Sequence, residues 1–185
     1  KLNAKAGKTY NVAIEYYQGT GDQKFELDLF EYDLNKLGNI LKDFNTAVVM
    51  IGYDTDTESE GSDRTFDLPD PQNELICNVA SKVKNVIVVA NSGGGFNFMP
   101  WIYNVKGVIM AWYPGQEGGT ALANILKGTV NPSGKLPMSI EKKWEDNPVH
   151  DNFFSKNGEK EITYQEGLFY GYRGYDAQDK RPLFP

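Results

Sequence analysis

The 185 residues carry 19 Lys and Arg against 25 Asp and Glu, for a formal net charge of −6, with 40% hydrophobic and 13% aromatic side chains. That balance describes a folded domain with a sizeable core, not a disordered or fibrous chain. No basic run, no bilayer-length apolar stretch and a single cysteine argue against nucleic-acid or membrane partners, an internal disulfide and a cysteine-built metal site, and no cofactor is called for.

In chain order, the start KLNAKAGKTY has neither an initiator methionine nor a hydrophobic leader, which is expected of a processed or cleaved piece of a longer protein. Residues 1–34 read as a β-hairpin. Tyr10, Val12, Ile14 and Tyr16 alternate, the turn signal GTGDQ follows, and Phe25, Leu27 and Leu29 alternate again. A hairpin alone is marginal in water, so this one is expected to lean on strands elsewhere. A boundary falls near Leu34 to Asn45.

From Thr46 the pattern changes to apolar runs separated by helices. AVVMIGY, NVIVVANSG and VKGVIMAWYPG are β-branched and apolar throughout, as expected of central parallel strands covered on both faces. Between the first two, Asp70 is placed to cap a helix that Pro71 opens and that buries Leu75, Ile76, Val79, Ala80 and Val83. A second helix follows PGQEGG, buries Leu122, Ile125 and Leu126, and stops at Gly128, after which KLPMSI reads as a further strand. Repeated strand and helix units make an α/β fold, a layered α/β sandwich with a mostly parallel sheet over residues 45–185, wrapped by an aromatic tail. Cys77, flanked by apolar helix positions, reads as a buried, inert thiol, and His150 as a solvated loop residue.

Ligands of open parallel sheets collect at the carboxyl ends of the strands, which here carry DTDTESEGSDR, NSGGGFNFMPW and AWYPGQEGG. The glycines of NSGGG could cradle a phosphate, but the dinucleotide fingerprint and the Walker lysine are both missing. They read instead as a close turn over the strand ends, with Trp101 packing after Pro100. In the acidic loop, Asp63 and Arg64 read as a charge-assisted pair that fixes the loop. Glu58 and Glu60 are either solvated carboxylates or proton donors.

Read together, ESEGSDRTFDLPDPQNELI, NSGGGFNFMPW, AWYPGQEGGTALANILKGTVNPSGKLPMSI and ITYQEGLFYGYRGYD with PLFP resemble the successive signatures of the C-terminal α/β-sandwich domain of glycoside hydrolase family 3, the β-glucosidase and β-xylosidase family. The resemblance runs from Asn45 to Pro185, and the leading hairpin resembles the last strands of the protective-antigen-type β-sandwich that some members carry inserted in this domain. The chain departs from the pattern by stopping at LFP, where members continue into a glycine- and aromatic-rich segment. The resemblance implies part of a retaining exo-β-glycosidase acting on β-linked oligosaccharides or aryl glycosides, periplasmic or secreted. The nucleophilic aspartate would come from a separate (β/α)8 barrel, leaving this piece inactive alone. The pattern Glu-Gly-x-Asp-Arg places the glutamic acid/base at Glu60, with Glu58, two residues earlier, as the alternative. A different reading is a noncatalytic carbohydrate-binding module using Trp112, Tyr113, Tyr170 and Tyr172.

Overall fold

The computed structural model describes residues 34–61, 63–69, 71–154 and 161–185; the strands of the expected hairpin and the Asp70 cap lie outside them. The described residues belong to one unit, Leu34–Pro185. Its sheet has three parallel strands, β1 (Thr46–Gly52), β2 (Asn85–Asn91) and β3 (Gly107–Met110), in the order β1-β2-β3. Helix α1 (Leu34–Leu41) precedes β1, α2 (Gln72–Ala80) joins β1 to β2, and α3 (Gly118–Leu126) follows β3. The short helices α4 (His150–Phe153) and α5 (Gly171–Ala177) belong to the tail. Among the described residues, no helix is long and apolar enough to cross a membrane.

The fold is α/β, and its parallel register sets the geometry of everything that follows. Gly52 pairs with Asn91, and Ala90 with Met110, so the loops after all three strands leave from one edge. In β2 both faces are covered, with Val86, Val88, Val89 and Ala90 fully buried. Beneath the sheet lie Ile76, Val79 and Val83 from α2 and the turn after it. Gln72 secures the end of β1: its amide donates to the Gly52 carbonyl at 2.7 Å, and the Gly52 N–H donates to its carbonyl oxygen at 2.8 Å. Two backbone groups at the site's edge are thereby satisfied by one side chain.

Four expectations are corrected here. Residues 34–41, taken as a boundary, form α1; Leu37 and Leu41 pack on the core, the spacing of one apolar helix face. KLPMSI is not a fourth strand. Pro137 cannot donate to a ladder, Leu136 and Met138 are exposed, and only Ile140 pairs, exchanging backbone bonds with Phe184 in an antiparallel bridge. In β1 only one face is buried, with Val48 and Met50 open at 44% and 51%. Likewise α3 ends as expected before Gly128, whose φ of +72° suits glycine, yet Leu126 is exposed and Leu122 and Ile125 are only partly covered. The described residues cover these apolar positions only in part.

The segment after β2 turns inward at once. Phe96, Phe98 and Trp101 are fully buried; the two phenylalanine rings stack at 4.2 Å between centroids, and Trp101 lies 5.4 Å from Phe98. The indole N–H of Trp101 donates to Asn73 Oδ1 at 2.9 Å, so the ring is anchored at both its apolar and its polar end. Cys77 sits half-buried against the core with its thiol 3.6 Å from the Pro100 carbonyl. His150 opens α4 instead of lying in a loop, edge-on to Trp144 and 3.0 Å from Asp151 Oδ1.

Candidate active site

The loop leaving β1 is built stepwise. Tyr53 continues the strand, and Asp54 then folds the chain back. Its carboxylate accepts from the Asp56 and Thr57 N–H groups and from the Thr57 hydroxyl, and those bonds, Thr57 first, hold its pKa below the ordinary value. The Asp54 carbonyl accepts from the Glu58 N–H at 2.8 Å, which places Glu58 at the mouth of the sheet.

The Glu58 carboxylate receives hydrogen bonds from all three strand-end loops. Arg64 Nε donates to Oε1 at 2.5 Å, the Gly93 N–H donates to Oε2 at 2.8 Å, and the Tyr113 hydroxyl donates to Oε2. Burial pushes the carboxyl up, but the bonds from Tyr113, Gly93 and Arg64, with the Arg64 charge, outweigh it and hold the pKa below the usual range. The same contact raises the Tyr113 phenol. Burial likewise lifts Tyr53, to about 12, against the opposing charge of Arg64.

Arg64 is the second hub. Its Nη2 donates to the Gly95 carbonyl at 2.8 Å and to the fully buried Ser92 hydroxyl at 3.4 Å, and its guanidinium lies 4.3 Å from the centroid of the Tyr53 ring. The expected Asp63–Arg64 pair is replaced by a Glu58–Arg64 pair; Asp63 is exposed, with no hydrogen bond or ion pair among the described residues.

This arrangement explains the glycine run. A Cβ on Gly93 would stand 3.3 Å from both Glu58 Oε2 and the Tyr113 ring, and one on Gly94 3.2 Å from Arg64 Nη2. Gly93 thus makes room for the carboxylate of Glu58, and Gly94 for the guanidinium of Arg64, both brought from the neighbouring loop.

Glu60 is the opposite case. It is exposed and, among the described residues, has neither a hydrogen bond nor an ion pair. It follows Glu58 by two residues and precedes Gly61, whose φ of +81° makes the turn. With Tyr53, Glu58, Gly93 and Tyr113 it lines an open cleft of about 540 Å³ at the strand ends. A second cavity of about 750 Å³ adjoins it across Glu58 and Arg64, walled by Trp144, Phe153, Phe154 and Tyr170. Tyr113, Tyr170 and Tyr172 are exposed at 57–60%, and Trp112 is half-buried. No group of three or more His, Cys, Asp or Glu among the described residues is placed to hold a metal ion.

Sequence reasoning singled out Glu58, Glu60 and Arg64 but missed Tyr53, Ser92, Gly93 and the bond from Tyr113. The available signal was their common position, each within a few residues of a strand's carboxyl end.

The family model described as "Glycosyl hydrolase family 3 C-terminal domain" matches residues 3–172. "Beta-glucosidase B" of Emericella nidulans is 41% identical over 209 residues, an alignment covering 98% of this chain and 25% of that protein. "Thermostable beta-glucosidase B" of Acetivibrio thermocellus is 43% identical over 153 residues, covering 82% and 20%. Among solved structures, the Kluyveromyces marxianus beta-glucosidase in complex with glucose superposes with a TM-score of 0.76 at 36% identity, over 82% of this chain and 18% of that one. The Bifidobacterium adolescentis beta-glucosidase gives 0.77 at 38% identity, over 87% and 24%. The chain therefore spans a quarter or less of the length of these relatives.

Proposed function

The chain belongs to glycoside hydrolase family 3 as its C-terminal domain, and from that premise we propose that it supplies the acid/base glutamate, Glu60, to a retaining exo-β-glycosidase of the β-glucosidase type. One observation carries the choice of Glu60: of the two glutamates at the strand ends, Glu58 has its carboxylate occupied by three donors, whereas Glu60 stands exposed at the cleft with no partner among the described residues.

Retaining hydrolysis uses two carboxyl groups about 5 Å apart, one to attack the anomeric carbon and one to protonate the departing oxygen and then to activate water. The general acid must keep its proton near neutral pH. Glu58, held anionic by its donors, is unsuited to that. The reaction further requires that a second anionic carboxylate and a sugar close over the cleft beside Glu60. In our reading that carboxylate is an aspartate on a (β/α)8 barrel of the same protein. The apolar side chains Phe153, Phe154, Leu168 and Phe169, 43–71% exposed, offer surface for such a partner. The substrates are β-linked oligosaccharides or aryl glycosides. A periplasmic or secreted location goes with them, to be read by activity in fractionated cells.

The test compares this chain with the intact protein. The intact protein should hydrolyse 4-nitrophenyl β-glucoside, and residues 1–185 alone should give no turnover above buffer, because no glycosyl intermediate forms without the nucleophile. Turnover by the chain alone contradicts the proposal. The exposed Tyr170 and Tyr172 favour, as a second reading, a noncatalytic sugar-binding surface. Calorimetric titration of the chain with cellobiose separates the two, since saturable binding without the barrel supports only the second.

A further inference from the structure

Glu58 and Arg64 meet across the segment that carries Glu60. Glu58 Oε1 and Arg64 Nε meet at 2.5 Å across six positions of sequence, so the salt bridge is the base of the loop and Glu60 with Gly61 its tip. The base is fastened on two further sides. On one, the loop after β2 binds it through the Gly93 N–H to Glu58 and through Ser92 Oγ and the Gly95 carbonyl to Arg64. On the other, the loop after β3 reaches it through the Tyr113 hydroxyl. Trp112, immediately before Tyr113, holds a φ of +54°, backbone strain that a non-glycine residue sustains only when its surroundings fix it.

We propose that Glu58 is a positioning residue: with Arg64, Gly93 and Tyr113 it forms a clamp that ties the three strand-end loops together and fixes where Glu60 is presented. The proposal rests on the reading of Glu60 as acid/base and adds how that group is aimed. A solvated loop would sample many orientations, and a displacement of about 1 Å from productive geometry costs on the order of 100-fold in rate. A clamp made from one carboxylate and donors on three loops removes that freedom. It also explains why two glutamates stand two residues apart on one loop: one is saturated so that the other can be aimed.

The test is a cycle in the intact enzyme with Glu58→Gln, Glu60→Gln and the double variant, assayed on methyl β-glucoside and on 2,4-dinitrophenyl β-glucoside. Glu58→Gln should lower kcat on the methyl glucoside by about 10- to 100-fold with KM within about twofold, and should lower kcat/KM, which reports the first step, far less on the dinitrophenyl glucoside. The alkaline limb of its pH profile should persist, because the proton donor is still present. In the Glu60→Gln background the same change should cost no more than about twofold, since Glu58 acts through Glu60. Tyr113→Phe, which removes one donor and leaves the salt bridge, should show the same leaving-group dependence at smaller amplitude, and it keeps the test open if Glu58→Gln does not fold. An undiminished cost in the Glu60→Gln background, or equal losses on both substrates, would assign Glu58 a purely structural role. Loss of the alkaline limb in Glu58→Gln would make Glu58 the acid itself. The underlying reading is checked separately by Glu60→Gln alone, which without leaving-group dependence overturns the acid/base assignment whatever Glu58 does.

Discussion

Replacing Glu60 by Gln in the intact enzyme should lower kcat/KM on methyl β-glucoside by about 10²- to 10⁴-fold, the usual worth of a positioned general acid. On 2,4-dinitrophenyl β-glucoside the first step should change far less, because a leaving group that departs readily as an anion needs no proton. The second step still needs a base to activate water, so the variant should release a burst of dinitrophenol and then turn over slowly as the glycosyl intermediate accumulates. The contrast depends on Glu60 being free for proton transfer, as its exposed position at the cleft, without a partner among the described residues, allows. Equal losses on the two substrates, without a burst, would mean that another residue carries the proton.

The largest effect on stability is expected at Trp101. The ring is fully buried against Phe98 and Phe96, and its N–H is satisfied by Asn73. Trp101→Ala removes the packing, leaves a cavity and strands the Asn73 carbonyl, a loss of about 3–5 kcal/mol. Urea titration followed by far-UV circular dichroism should show this domain's transition moving to markedly lower urea. Because the segment from Phe96 to Trp101 also anchors the Gly93–Gly95 turn, activity should fall in parallel with folded fraction, not ahead of it. A variant as stable as the parent would mean that this aromatic cluster does not hold the β2 loop in place.

How much of this was legible differs from element to element, for physical reasons. The three parallel strands announce themselves because β-branched apolar runs have few other places to go, and the edge on which their loops gather then follows from parallel pairing alone. Gly128 as the stop of α3 was legible because a positive φ selects glycine strongly. KLPMSI misled because its apolar alternation is real, while Pro137 and the pull of Phe184 on Ile140 act outside the pattern. Apolar residues at Val48, Met50 and Leu126 signalled burial that the described residues provide only in part; hydropathy states that a side chain should be covered, not by what.

At the site, the choice between Glu58 and Glu60 was out of reach of spacing, since both sit on one short loop with the same side chain. Three-dimensional pairing separates them. Glu58 accepts from Gly93, 35 residues away, and from Tyr113, 55 residues away, contacts that no local pattern encodes. What lies against the glycine run became visible only when the Glu58 carboxylate was found against Gly93.

The central claim, that Glu60 is the proton relay, is tested most directly by azide rescue in the intact enzyme. With the acid/base removed as Glu60→Ala, an aryl β-glucoside still forms the glycosyl intermediate, and the small azide anion can enter the space left and attack without a base. The expected product, read by NMR, is the β-glucosyl azide of retained configuration, formed by Glu60→Ala and not by Glu58→Ala. Azide product from Glu58→Ala and none from Glu60→Ala would contradict the account.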